Sequence, residues 1–385
     1  MFRAAIAAGL LLLLGACSHV PQAPSGAAST VILVSIDGFR PDYLDRGITP
    51  VMSRLAAEGA RGAMRPSFPS KTFPNHYTLV TGLRPDQHGI VDNSMRDPEI
   101  PGVAFSMGNK AAVRDRRWWD GGEPIWVSAE KAGIRTGTMF WPGSEAEIHG
   151  VRPSLWRPFD QSMTAVARVD QVLAWLDLPP AERPKLVTLY FDEVDTVGHH
   201  DGPASPGVNA AIARTDAAIG RLVEGLKARG ITADLLIVAD HGMAPVSPDR
   251  AIYLEDLVPL DAFKTQAMGA FMSGAAAPGR EAEVERALLK RHPRMQCWRK
   301  GEIPARYHYG THRRVPPIFC LPQTGWEITT RSRKPPSGGA HGFDIYAPEM
   351  QAVFIGHGPS FRAGSRLGVF DNVEVYPKLR KALGL

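Results

Sequence analysis

Carboxylate and imidazole groups stand close together in two short stretches of this sequence. Asp195 and His199 are four residues apart, close enough for both side chains to hold one metal ion. Asp240 and His241 are adjacent, which suits a loop leaving a strand, because neighbours within a strand point to opposite faces. The candidate ligands are Asp37, Asp195, His199, Asp240, His241, His341 and the hydroxyl of Thr72. This mixture of oxygen and nitrogen ligands suits zinc, and it suffices for two ions that each keep an open position.

Each of these residues alone has an ordinary explanation. An aspartate at the end of a strand often forms a turn, and a single histidine is more often structural than a metal ligand. Asp192 and Glu193 compete with Asp195 as ligands, although the spacing to His199 favours Asp195. Other histidines, including His76, are interpreted as structural or surface groups. The joint pattern, rather than any one residue, therefore predicts a metal site.

Thr72 is the candidate nucleophile. Prolines stop any long helix from crossing residues 64–82, whereas Phe73–Thr81 is typical of a short helix, with Pro74 in its first turn and Gly82 at its end. At the start of this helix, unpaired N–H groups and the positive end of the dipole favour an alkoxide or a bound anion. A threonine there is usually an ordinary N-cap. The neighbouring ligand candidates make the nucleophile the better interpretation.

Short apolar runs predict the strands that position these groups. Val31–Ile36, Lys185–Phe191 and Leu235–Ala239 are typical of buried strands, and acidic residues follow all three. Helical segments alternate with the strands, which favours a mostly parallel sheet whose ligands gather beyond the carboxyl ends of its strands. Further predicted strands are Thr136–Trp141 and Ala352–Gly356, and predicted helices include Glu123–Ala132, Met163–Leu176 and a long one through Val208 and Leu226.

The predicted fold class is α/β, with a mostly parallel central sheet flanked by helices on both faces. From about residue 244 to residue 339 the alternation loosens into proline-rich turns, which indicates an inserted cap subdomain. This segment holds Cys297 and Cys320, which could close a loop of modest size in an oxidising compartment but lack metal-type spacing. We expect a catalytic domain over residues 30–385.

The composition is that of a globular protein. The chain has 385 residues, 44% of them hydrophobic, enough for a substantial core. Its 44 basic and 39 acidic residues give a net charge of +5. The basic residues are scattered, so a nucleic-acid polymer is not expected as the main partner.

The N-terminus predicts export. Residues 1–17 contain a basic residue and then an apolar run too short to span a membrane, which fits a secretory signal. Leu14–Cys17 resembles a bacterial lipobox, which implies a lipid on Cys17 as the chain's only membrane contact, followed by a flexible tether over residues 18–29. We therefore expect a periplasmic or outer-membrane lipoprotein. Secretion without lipid is the alternative, and the oligomeric state is left open.

Several longer motifs carry a family resemblance. Together they resemble the nucleotide pyrophosphatase/phosphodiesterases of the alkaline phosphatase superfamily, from about Val31 to the C-terminus. The motifs are SIDGFR (35–40), KTFPNHYTLVTG (71–82), HGIVDN (88–93), GEPIWV (122–127), FWPGS (140–144), DTVGH (195–199), DHGM (240–243) and GAHGFD (339–344).

The resemblance implies an alkaline phosphatase-like fold and two zinc ions per chain. One zinc site would comprise Asp195, His199 and His341, and the other Asp37, Asp240, His241 and Thr72. Thr72 would attack phosphorus to give a phospho-threonine intermediate that water hydrolyses, while Asn93 contacts a phosphate oxygen. The implied reaction releases a nucleoside 5′-monophosphate from a small-molecule nucleotide, by cleavage of a phosphodiester or phosphoanhydride bond.

The resemblance also implies a slot in which Phe73 and Trp156 stack on the base, which would tolerate any base. Both aromatics could instead be core residues. A lipid-headgroup or lysophospholipid phosphodiesterase with the same metal site is the main alternative. A sulfatase is disfavoured because Thr72 cannot form the aldehyde nucleophile, and a monoesterase because Asn93 is neutral. A lipoprotein that binds zinc without catalysis would not require Thr72.

Overall fold

An eight-stranded sheet forms the centre of the described chain, which comprises residues 30–385 of a computed structural model. The predicted signal peptide, Cys17 and the tether fall in residues 1–29, outside the described residues. In chain order the strands of this sheet are β1 (Thr30–Ile36), β2 (Ala60–Arg65), β3 (Thr136–Met139), β4 (Leu155–Arg157), β5 (Leu186–Phe191), β6 (Ala233–Val238), β7 (Ala352–His357) and β8 (Ser365–Asp371).

The strands lie in the order β8-β2-β7-β6-β1-β5-β3-β4. Strand β7 is antiparallel to both of its neighbours, β2 and β6. All other neighbouring pairs of this sheet are parallel. The prediction of a mostly parallel sheet is therefore confirmed.

The three central strands β5, β1 and β6 end at the same level. Ile36 of β1 pairs with Phe191 of β5, and Ser35 pairs with Val238 of β6. Their side chains are almost all buried, as expected of parallel strands covered on both faces. Residues that follow these strands are consequently neighbours at the carboxyl end of the sheet.

Two groups of helices flank the sheet. Helices α1, α6 and α8 pack together, and α10 packs against both α2 and α5. Among helices within residues 30–385, none is both long and apolar enough to cross a membrane. The helices are α1 (Pro50–Glu58), α2 (Thr72–Thr81), α3 (Pro85–His88), α4 (Lys110–Arg114), α5 (Ile125–Lys131), α6 (Ala165–Leu176), α7 (Glu193–Asp201), α8 (Pro206–Ala228), α9 (Glu281–Leu288) and α10 (Val375–Leu383).

A second, smaller sheet lies between β6 and β7 of the chain. Its four strands are antiparallel, and they lie in the order Phe263–Ala267, Met272–Ala276, Ile318–Pro322 and Met295–Arg299. Helix α9 packs against this sheet through Val284 and Leu288. A disulfide joins Cys297 to Cys320 on neighbouring strands.

Short strands border this part of the chain. Ala244–Pro245 pairs with Gly339–Ala340 where the chain leaves the main sheet and returns to it. Ala251–Tyr253 pairs with Glu327–Thr329. A separate pair, Ser94–Arg96 with Ala104–Ser106, lies between α3 and α4. We refer to residues 244–340 as the insertion.

Candidate active site at the carboxyl end of the sheet

The carboxyl ends of β1, β5 and β6 position most of the predicted ligands. Asp37 directly follows β1, and Asp240 lies two residues beyond β6. Asp195 and His199 stand one turn apart on α7, which follows β5. His341 directly follows the strand Gly339–Ala340, which closes the insertion. The sheet topology thus brings together residues as far apart in the sequence as Asp37 and His341.

Six predicted ligands form one cluster, which we call the ligand cluster. His199 Nε2 lies 3.5 Å from Asp195 Oδ2. His241 Nε2 lies 2.9 Å from Asp240 Oδ2 and 3.4 Å from Asp37 Oδ1. Its ring stacks on that of the sixth member, His341, with 3.5 Å between the ring centres. Ligand atoms lie within 4.8 Å of one another in two groups, Asp195 with His241 and His341, and Asp37 with His76 and Asp240.

Backbone carbonyl groups fix the three imidazole rings of the ligand cluster. Because a carbonyl oxygen can only accept a hydrogen bond, each Nδ1 must carry the hydrogen when the ring is neutral. Each Nε2 then presents a lone pair, as in histidine metal ligands. The Nδ1–oxygen pairs are His199 with Gly339 (2.8 Å), His241 with Gly242 (2.9 Å) and His341 with Ser70 (2.8 Å).

The carboxylates of the ligand cluster keep oxygens free for a cation. Asp37 Oδ2 accepts a hydrogen bond of 2.6 Å from the Tyr190 hydroxyl. Asp37 Oδ1, Asp195 Oδ1 and Asp240 Oδ2 are buried and accept no hydrogen bond from the described residues. Such oxygens are costly to bury, and a divalent cation would satisfy them together with the imidazole lone pairs. The residues therefore fit a metal centre.

The electrostatics point to the same need for positive charge. Burial raises the pKa of Asp37 well above its usual value, and the charges of Asp240 and Asp195 raise it further. Burial opposes ionisation of Asp240 as well, but His241 and His76 hold the pKa of Asp240 well below normal. Burial also lowers the pKa of His341, which favours the neutral imidazole that binds metals.

Thr72 stands beside the ligand cluster at the start of α2. It is the first helical residue, and the N-cap position is taken by Lys71. The Lys71 side chain makes no capping hydrogen bond, and the Thr72 hydroxyl lies 3.4 Å from His241 Nε2. The ordinary N-cap interpretation therefore does not apply to this hydroxyl.

Asn93 lies at the same helix terminus. Its Oδ1 accepts a hydrogen bond of 2.8 Å from the backbone N–H of Phe73, the residue after Thr72. This bond leaves the side-chain N–H donors of Asn93 free for another acceptor. The amide is thus held beside Thr72, where the resemblance places the substrate phosphate.

A cavity of about 400 Å³ opens beside Thr72, Asp37 and Asp195. Its lining includes Phe73 and Phe159, each of which packs near other aromatic rings. Phe73 packs near Phe105 and Trp119, whereas Phe159 packs near Phe140 and Tyr190. The volume is within the range of small-molecule sites.

The structure does not bring Trp156 to this cavity. Trp156 belongs to the edge strand β4, and its indole lies beneath the Arg152 guanidinium, 5.4 Å from the ring centre. Phe159, two residues beyond the end of β4, lines the cavity and is 41% exposed. Phe159, rather than Trp156, therefore lines the cavity together with Phe73, because the chain reaches the cavity in the turn after β4 and not within the strand.

Two residues at the site were missed by reasoning from the sequence. His76 was interpreted as structural, but its Nδ1 lies 3.4 Å from Asp240 Oδ2 and its Nε2 lies 2.8 Å from the Ser35 hydroxyl. Its position one turn after Thr72 on the same helix was an available signal. Tyr190, which holds Asp37, offered only the signal of a hydroxyl within an apolar strand.

Similarity to known proteins agrees with this geometry. Residues 31–344 match the family of type I phosphodiesterases / nucleotide pyrophosphatases. An uncharacterized pyrophosphatase/phosphodiesterase from Schizosaccharomyces pombe is 40% identical over 375 residues, covering 93% of this chain and 77% of the relative. Ectonucleotide pyrophosphatase/phosphodiesterase family member 3 from Bos taurus is 36% identical over 92% of this chain, which spans only 42% of that relative.

Solved structures show the same fold. Human ectonucleotide pyrophosphatase / phosphodiesterase 5 superposes with a TM-score of 0.88 at 33% identity, covering 93% of this chain and 95% of the human one. The murine protein, solved as an inactive threonine-to-alanine variant in complex with AMP, superposes with the same TM-score, identity and coverage. With its alkaline phosphatase-like fold, this chain belongs to the type I phosphodiesterase / nucleotide pyrophosphatase family of hydrolases.

Proposed function

We propose that this chain is a zinc-dependent phosphodiesterase that releases a nucleoside 5′-monophosphate through a covalent intermediate on Thr72. The observation that carries the proposal is the position of the Thr72 hydroxyl, which does not cap the helix, between the ligand cluster and an aromatic cavity. The AMP complex of the murine relative, formed with a threonine-to-alanine variant, supports a nucleotide as the ligand.

Two zinc ions fit the donor set. Asp195, His199 and His341 would hold one ion, and Asp37, Asp240, His241 and Thr72 the other. Bound zinc supplies positive charge and Lewis acidity at the phosphate. The three unpaired carboxylate oxygens and the three oriented imidazoles support this assignment.

Thr72, the N-terminus of α2 and Asn93 have separate roles in the proposed reaction. Thr72 Oγ1 forms a bond to phosphorus while the bond to the leaving-group oxygen breaks, and the hydroxyl proton passes to solvent. The leaving-group oxygen takes a proton from solvent. Water then attacks the same phosphorus as the bond between phosphorus and Thr72 Oγ1 breaks, and a proton returns to Oγ1. The N-terminus of α2 and the amide of Asn93 donate to the phosphate oxygens as negative charge grows on them. These donors are neutral, which favours a diester monoanion over a monoester dianion.

Phe73 and Phe159 are the aromatic walls that we assign to the base. Stacking is worth about 1–3 kcal/mol per base and does not depend on which base is bound. We therefore expect broad base specificity. Phe159 takes the role that the sequence resemblance gave to Trp156, since Phe159 lines the cavity.

We further infer export of the chain and lipidation of Cys17. The lipobox-like Leu14–Cys17 supports the anchor, and the disulfide between Cys297 and Cys320 supports an oxidising compartment. Intact mass of the mature protein should show acyl groups on Cys17. A mature chain that retains residues 1–16 would contradict this inference.

Hydrolysis of a chromogenic phosphodiester tests the proposed function. The purified protein should hold close to two metals per chain by elemental analysis, and chelation should abolish turnover. His341→Ala should lower metal content and activity together, because His341 is buried in the ligand cluster. The matched control is His200→Ala, since the His200 side chain is exposed and next to His199. Full activity without metal would overturn the proposal.

A further inference from the structure

One segment of the insertion reaches across to the loop that carries Asn93. We call residues 308–317 the insertion arm and residues 89–93 the Asn93 loop. The arm lies between the short helix Ala305–Tyr307 and the strand Ile318–Pro322. Two of its buried side chains, Tyr309 and Arg314, donate hydrogen bonds to the Asn93 loop.

Arg314 uses its whole guanidinium group in these contacts. Nη1 donates to the carbonyl oxygens of Gly89 and Trp118, both at 2.8 Å, and Nη2 donates to that of Arg117 at 3.0 Å. Nε donates to the buried carboxylate of Asp97. The planar fork of arginine suits four acceptors in fixed directions, which a lysine could not satisfy together. Arg314 thereby ties the start of the Asn93 loop to its neighbours.

Tyr309 holds the middle of the same loop. Its hydroxyl donates to the carbonyl oxygen of Val91 at 3.1 Å. Its ring lies 5.4 Å from that of Phe68, on the segment that leads into Thr72, and 5.7 Å from Phe319. Tyr309 therefore contacts both the Asn93 loop and the approach to α2.

The Asn93 loop ends at Asn93, so the contacts of Tyr309 and Arg314 with the loop also hold the Asn93 side chain. Asn93 Oδ1 accepts from Phe73 N–H, so a displacement of the loop would shift the amide relative to Thr72. Donors that stabilise growing charge act well only when they are held in place before the reaction. The arm supplies such support from a part of the chain that provides none of the ligand cluster.

We propose that Tyr309 and Arg314 are positioning residues that act through Asn93, so that the insertion sets the geometry of phosphate recognition. The proposal rests on the proposed function for its kinetic effects. Its structural content, the order of the Asn93 loop, can be measured without any turnover.

Tyr309→Phe is the mildest test, because it removes only the hydroxyl that donates to Val91. One lost hydrogen bond should lower kcat/KM for a phosphodiester by about threefold to tenfold, mainly through kcat. Tyr307→Phe is the matched control, since Tyr307 is two residues away but its hydroxyl donates to Asp344. The control should leave the rate unchanged. Arg314→Lys should lower kcat/KM by more than Tyr309→Phe if the variant folds.

A double-mutant cycle shows whether the effect passes through Asn93. In an Asn93→Ala background, Tyr309→Phe should have no further effect on kcat/KM, because the group it positions is gone. An undiminished effect of Tyr309→Phe in that background would overturn the proposal.

Hydrogen exchange separates this proposal from the proposed function. Backbone amides of residues 90–93 and of Phe73 should exchange faster in Tyr309→Phe than in wild type or Tyr307→Phe. Faster exchange in a protein without phosphodiesterase activity would support the positioning role while ending the proposed function. Unchanged exchange in an active enzyme would overturn the positioning role alone.

Discussion

The ligand cluster and the aromatic cavity share Asp37 and Asp195 and both border Thr72, yet they are built in different ways. Most of the ligand cluster follows directly from strand ends, so the topology of the sheet determines its geometry. The walls of the cavity come from side chains on α2 and on the turn after β4, whose positions depend on packing between loops. Under the proposed function, the backbone would thus fix the chemistry, and the surrounding side chains would fix the substrate preference.

The two regions should therefore respond differently to substitution. A substitution in the ligand cluster or at Thr72 should lower the rate for every phosphodiester substrate equally. A change in the cavity should affect only substrates that carry a base. Comparing a nucleotide-linked diester with a small aryl phosphodiester makes this difference measurable.

Thr72→Ala should have the largest effect. Loss of the nucleophile should lower kcat for both substrates by at least about 1,000-fold, because only positioning and electrostatics remain. Thr72→Ser is the matched control, since it keeps a hydroxyl at the start of α2, and it should retain measurable turnover. Metal content by elemental analysis should show at least one bound ion in both variants. Activity of Thr72→Ala within about tenfold of wild type would remove Thr72 from the chemistry.

The double variant Phe73→Ala, Phe159→Ala should have a smaller and selective effect. Loss of stacking should lower kcat/KM for the nucleotide-linked diester by about 10- to 100-fold, and the aryl diester should change much less. Trp156→Ala is the control, because Trp156 does not line the cavity.

Two results would contradict the assignment of Phe73 and Phe159 to the base. If Trp156→Ala lowered kcat/KM as much as the double variant, the base would stack between Phe73 and Trp156, as the sequence resemblance implied. Absence of any nucleotide preference in wild type would favour the lipid-headgroup substrate, to be checked with a choline phosphodiester.

Asp92→Asn should have the smallest effect on turnover, and its main effect should be on stability. Asp92 is buried beside Asn93, and burial raises its pKa from 3.8 to about 6. A raised carboxyl pKa means that the protonated form stabilises the fold, and this contribution is lost as pH rises from about 4 through 6. The free energy of unfolding should fall by about 3 kcal/mol over that interval in wild type. Urea titrations of chelated protein should find this component missing in Asp92→Asn, and an identical pH dependence would contradict the assignment.

The sequence predicted the parts of the site that depend on local pattern. Apolar runs followed by Asp37 and Asp240 indicated strand ends, and parallel strands bring their ends together. It could not place Trp156 and Phe159, which lie three residues apart, because the choice depends on where β4 ends and how the chain turns. Likewise, Cys297 and Cys320 could be named as capable of pairing, but the register of their two strands decides that they pair.

His341 and the insertion arm illustrate a further limit. His341 was a candidate ligand whose grouping with Asp195 came only from the family resemblance, and its approach to Asp195 depends on the return of the chain after the insertion. The contacts of Arg314 with three backbone carbonyls carry no signal in side-chain type or spacing. Long-range packing of this kind becomes visible only in the folded chain.

The stereochemistry at phosphorus tests the covalent role of Thr72 most directly. A nucleotide phosphorothioate diester of known configuration would be hydrolysed in isotopically labelled water, and the configuration of the product determined. Attack by Thr72 followed by attack of water comprises two in-line displacements, each of which inverts phosphorus, so overall retention is the expected result. Overall inversion would mean a single direct attack by water, and it would contradict the phospho-threonine intermediate.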